Sequence, residues 1–123
     1  MRNTAATLKT FFSGFGIPAY SETSVPNDVQ LPYITYPIKE PRWSQPTTFY
    51  IVLWCRTKGY ADALAKADQI QAAIGEGVSL ESDGGWVVIR PDNPFIQEMK
   101  DDKNDTKALY INLQLNAFRK AGN

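Results

Sequence analysis

Cys55 is the only cysteine in the 123-residue chain, and there is no histidine. A nucleophilic thiol needs a base or a positive field to form its thiolate. Cys55 instead ends the apolar run from Phe49, where a thiol behaves as a small hydrophobe. Without histidine the chain has no Ser-His-Asp triad, no Cys-His pair and no zincin site, and one thiolate builds no zinc cage. A lone cysteine also closes no internal disulfide. Asp101, Asp102 and Asp105 suggest a calcium loop, but glycine at the sixth loop position and a distal bidentate glutamate are both missing. With Lys100, Lys103 and Lys107 among them, they predict a solvated charged loop. Gly75, Gly77, Gly84 and Gly85 do not stand between a strand and the start of a helix, where backbone amides would cradle a phosphate. The carboxyl pair of a glycosidase meets only in space, and no Asp or Glu here has an apolar sequence setting that would raise its pKa. The expectation is a protein that is not an enzyme, with no catalytic, cofactor-binding or metal-binding residue.

Tyr33, Arg42, Trp43 and Phe95 are of another kind. Aromatic residues and arginine set among prolines resemble interface anchors. The alternative is that Trp43 and Phe95 fold back onto their own core. Thirteen basic residues balance thirteen acidic ones, so there is no overall positive field to hold nucleic acid. The longest wholly apolar run is seven residues, Phe49 to Cys55, against the ~20 that a membrane-spanning helix needs. Lys9, Gly14 and Gly16 interrupt any signal-peptide core, so a cytoplasmic setting and no membrane partner are expected.

These residues need elements to carry them. Length and a 43% apolar content fit one globular domain, residues 1–123. Ala5, Leu8, Phe12 and Phe15 trace one helical stripe, which predicts a helix over residues 4–14, stopped by Gly14, Gly16 and Pro18. Ile17 to Tyr20 fits a short edge strand. Leu31 to Ile38 alternates as a strand whose prolines belong at its ends or on an open edge. Thr47 to Arg56 is apolar on both faces, with Phe49, Ile51, Leu53 and Cys55 on one and Tyr50, Val52 and Trp54 on the other. Both faces therefore call for cover, and a second subunit is one source of it. Tyr60, Leu64, Ala67, Ile70, Gln71 and Ile74 predict an amphipathic helix over residues 60–74, packed through Leu64, Ala67, Ile70 and Ile74. Val78 and Leu80 alternate with polar neighbours as a strand, residues 82–85 signal a hairpin turn, Trp86 to Arg90 is its second short strand, closed by Pro91 and Pro94, and Leu109 to Asn116 is a strand with one polar face. The order α-β-β-α-β-β-β predicts an α+β fold: a mostly antiparallel sheet with two helices packed on one face.

Val25-Pro26, Leu31-Pro32-Tyr33-Ile34-Thr35-Tyr36 and Phe49-Tyr50-Ile51-Val52-Leu53-Trp54, followed by Arg90-Pro91-Asp92-Asn93-Pro94-Phe95-Ile96-Gln97 and Tyr110-Ile111-Asn112-Leu113, resemble the tail-completion or tail-terminator proteins of long-tailed bacteriophages. The resemblance covers about residues 17–117, and a head–tail connector or minor capsid protein of similar fold is the alternative. It implies a subunit of a hexameric ring in the virion tail, assembled in the host bacterial cytoplasm. The ring would cap the tail tube protein, end tail polymerisation and join the tail to the head connector protein. DNA would pass through its lumen without sequence-specific binding. It carries no catalytic site and no cofactor. A small enzyme or ligand-binding module is the competing expectation, and an apolar pocket with convergent polar groups would favour it.

Overall fold

The computed structural model describes residues 4–38, 45–82, 84–98 and 105–119. Two helices, α1 (Thr4–Phe12) and α2 (Tyr60–Ile74), accompany six strands: β1 (Ala19–Ser21), β2 (Tyr33–Tyr36), β3 (Thr47–Arg56), β4 (Val78–Ser82), β5 (Gly85–Glu98) and β6 (Thr106–Arg119). They form one sheet in the order β1-β2-β3-β6-β5-β4. Only the β1–β2 pairing is parallel; the other four are antiparallel. The fold is α+β, as the sequence predicts, with β1 added as a parallel edge strand.

β3 and β6 are the centre, paired without interruption from Thr47↔Leu115 to Arg56↔Thr106. Alternation sends Phe49, Ile51, Leu53 and Cys55 of β3 and Leu109, Ile111, Leu113 and Leu115 of β6 to the same inner side, all buried. α2 lies there, against β3, β5 and β6. It buries Ala63, Ala67, Ile70 and Ile74, while Leu64 is only partly buried. Leu64 therefore does not lead the contact: Ala63 faces the sheet, and its small side chain permits close approach. Gly75, at φ 57, and the bond from the Gly77 amide to the Ile74 carbonyl end the helix.

α1 is shorter than expected and continues as a single 3-10 turn, Ser13–Phe15. Its buried positions are Thr4, Thr7, Leu8 and Phe12, and Phe12 stacks on Tyr36 with ring centroids 6.0 Å apart. The helix packs against both β1 and β4, the opposite edges of the sheet. Lys9 Nζ donates to the Ala19 carbonyl at 3.2 Å, and Thr7 Oγ1 to the Glu81 carbonyl at 3.5 Å. Residues two apart on one helix thus reach both edges, which requires the sheet to roll around α2.

The strand predicted over 86–90 runs on through Pro91 and Pro94 to Glu98. The register with β6 breaks between Pro91, the last residue paired before the break, and Ile96, and this irregularity takes the donorless Pro94 out of the ladder. The charged stretch expected as a loop is correspondingly shorter, because Glu98, Thr106 and Lys107 belong to strands. Asp101 and Asp102 lie outside the described residues.

Candidate functional site

Two places offer more than packing. The first is the outer sheet face, opposite the helices. Tyr33 pairs with Trp54 across β2 and β3, and their rings stack at 6.2 Å and 22°. Tyr20 meets Tyr33 edge-on at 6.1 Å. Trp54 Nε1 donates to Thr35 Oγ1 at 3.0 Å, giving the indole a partner in a half-buried setting. At the centre of the face, Tyr50 stacks on Tyr110 at 4.8 Å and 17°. At the far end Trp86 and Phe118 are cross-strand partners. Tyr50 and Trp86 remain 41% and 40% exposed. The polar residues of β6 are not simply wet: Asn112 Nδ2 donates to the Pro94 carbonyl at 2.8 Å and pins the irregular stretch of β5.

Of the four predicted anchors, Tyr33 belongs to this aromatic band. Phe95 is partly buried against the core from the irregular stretch of β5. β3 and β6 separate the two, so the fold does not bring Tyr33 and Phe95 together. Arg42 and Trp43 lie outside the described residues. Tyr20, Tyr50, Trp86 and Tyr110 were not singled out as anchors. The period-two alternation of their strands was the available signal.

The second place is a cavity of about 280 Å³ between the C-terminal end of β3, the first half of α2 and the chain before β1 and β2. Leu53, Cys55 and Ala63 are its buried floor, with Ile17, Leu31 and Pro32 beside them. Arg56, Lys58, Asp62 and Lys66 surround the mouth. Lys66 is held in place: Nζ donates to the Phe15 carbonyl at 2.6 Å and to Gln69 Oε1 at 3.0 Å. The adjoining Gly16 sits at φ 84, a left-handed conformation that favours glycine. The Cys55 thiol faces the Lys107 carbonyl at 3.6 Å, an acceptor that takes no proton. Cys55 is 3% exposed, which fits its reading as a small hydrophobe.

On the other side of Cys55, Lys107 Nζ lies 3.1 Å from Glu98 Oε1 and 4.5 Å from the Tyr60 ring centroid. Burial pushes the Tyr60 phenol up from its usual value, and the Glu98 carboxylate adds to this while Lys107 opposes it. Asp105 pairs with Arg56 at 3.8 Å, both well exposed. Among the described residues no three Cys, Asp or Glu side chains gather as metal ligands.

The cavity was hidden in the sequence because its walls come from four separate segments. Its one trace is the i, i+4, i+8 spacing of Lys58, in the turn before α2, and Asp62 and Lys66 on its first half. Compared with known proteins, the chain matches no family model and no curated protein.

Proposed function

We propose that the protein is a structural subunit of a bacteriophage virion, which assembles into a ring that caps the tail tube, ends its growth and joins it to the head connector. The observation that carries this reading is the outer aromatic band, from Tyr20, Tyr33 and Trp54 through Tyr50 and Tyr110 to Trp86 and Phe118. Large rings aligned on a face without a second layer among the described residues are the material of protein interfaces. α1 packs against both edge strands, β1 and β4, so in this reading association runs through the outer face. A ring forms when an interface between unlike surfaces repeats until it closes. In this reading Tyr33, Tyr50 and Trp86 belong to the contact, and Arg42 and Trp43, between β2 and β3, extend it. The partners are further copies of the chain, the tube protein and the connector, with DNA passing through the lumen.

Electron microscopy of the purified protein mixed with tail tubes tests this reading. Rings at one end of tubes of controlled length are expected, and their loss in Trp43→Ala and Tyr50→Ala would place both residues in the contact. Wild-type protein that never associates with tubes overturns the reading. Rings found at the connector or in the capsid instead would favour the related head–tail joining role. The cavity favours a second reading, a ligand-binding module, because it combines an apolar floor with polar groups at its mouth.

A further inference from the structure

The cavity floor and mouth differ in chemistry. Leu53, Cys55 and Ala63 are 0%, 3% and 4% exposed and bring no charge. The mouth is lined by three cations, Arg56, Lys58 and Lys66, and one carboxylate, Asp62, with Asp105 beside Arg56, in a chain whose net charge is zero. The positive excess is therefore local. Lys66 is already ordered by the Phe15 carbonyl and Gln69, so a ligand would not have to immobilise that side chain. Among the described residues Arg56 makes an exposed pairing with Asp105 at 3.8 Å, a kind of contact worth little and easily exchanged.

Size and charge together narrow the ligand. A space of about 280 Å³ lies at the small end of ligand sites, which suits a ligand of about ten non-hydrogen atoms. The apolar floor excludes a wholly polar ligand, whose groups would lose water without gaining partners. The cationic mouth favours one negative charge at the end that stays near water, and Asp62 disfavours a doubly charged group there. We propose that this cavity binds a small monoanionic amphiphile, a carboxylate with an apolar body of about seven carbons. The carboxylate lies among Arg56, Lys58 and Lys66, and the body lies over Leu53, Cys55 and Ala63. This inference is independent of the virion reading, since it concerns the single subunit.

The probe is octanoate, added to the 15N-labelled full chain and followed by amide chemical shifts, with octan-1-ol and octylammonium as controls. Octanoate is expected to saturate one site with Kd of about 0.1–1 mM, a reasonable range for ten ligand atoms. Its shifts should be centred on residues 53–66 and 17–32. The two controls should bind at least about tenfold more weakly, and the octanoate affinity should fall as salt is raised. The double variant Arg56→Gln/Lys58→Glu, at two exposed positions, should keep the wild-type amide spectrum elsewhere and lose about tenfold or more in octanoate affinity. Ala63→Leu should abolish binding by filling the floor. Octanoate should also slow alkylation of Cys55, the only thiol in the chain. The proposal is overturned if octan-1-ol or octylammonium binds as tightly as octanoate, or if the double variant binds octanoate unchanged. It also fails if 10 mM octanoate moves no resonance of the cavity residues. No tail component enters the assay, so failure to cap tubes and failure to bind octanoate are separate results.

Discussion

On the inner side of β3, Phe49, Ile51, Leu53 and Cys55 are at most 3% exposed beneath the helix layer. On the outer side Tyr50, Val52 and Trp54 meet no second layer among the described residues, yet Val52 is only 5% exposed. The apolar character of the two faces is alike, but the cover differs. Inside, whole elements supply it. Outside, rings in contact with one another across neighbouring strands flank Val52, at the cost of exposing their own surface. A doubly apolar strand therefore does not by itself require a second subunit, although the exposed rings retain the capacity to bind one.

The contrast predicts a graded series of stabilities. Phe49→Ala empties a fully enclosed inner site and should cost about 3–5 kcal/mol in urea unfolding. Thr35→Val removes the acceptor of the Trp54 indole and leaves a half-buried N–H unpaired. It should cost about 1–3 kcal/mol, with a shift in tryptophan fluorescence as its local signature. Leu64→Ala removes a partly buried side chain and should cost less than a fully enclosed leucine, about 1–2 kcal/mol. A cost above about 3 kcal/mol would mean that the outer shoulder of α2 is packed as tightly as its sheet side.

Ionisation sharpens the comparison in another way. Burial raises the phenol of Tyr33 on the outer face and of Tyr36 on the inner face in the same direction. Burial, with Glu98, raises that of Tyr60. Each folded-state pKa lies above the unfolded value of about 10, so the unfolded chain ionises first. The stabilisation is intact below about pH 10 and is lost as pH rises through the folded-state values. Phenolate absorbance should show Tyr33→Phe removing one late-titrating group. If it instead removes an ordinary one, the outer face is wetter than its ring stacking implies. The smallest effect belongs to Tyr50→Ala, which should change subunit stability by no more than about 1 kcal/mol.

The second helix and the last strand were legible for clear reasons. Ala67, Ile70 and Ile74 repeat at helical spacing before Gly75, and Leu109 to Asn116 alternates strictly. The continuation of β5 was not legible, because Pro91 and Pro94 read as a stop and the register change that accommodates them leaves no sequence mark. Ala63 went unnoticed since alanine suits either side of a helix, and only the closeness of the sheet gives it a direction. Tyr33 was legible as a surface aromatic, but its stacking partner Trp54 lies in another strand. The cavity was least legible of all, since Ile17, Leu31, Cys55 and Lys66 become neighbours only after the sheet has rolled.

The position of α1 has a consequence for how the chain folds. Thr7 and Glu81 are separated by 74 positions, so the earliest helix in the chain docks against a strand that is synthesised much later. Leu8 and Phe12 lack a complete seat until the β4–β5 hairpin has joined β6, which itself lies further along. Closure over so long a loop is entropically unfavourable and slow compared with local hairpin formation. Docking of α1 is thus a late event, and before it both rims of the sheet stand open together. A partly folded chain in that interval can pair with another at either rim, so aggregation during refolding should rise steeply with protein concentration.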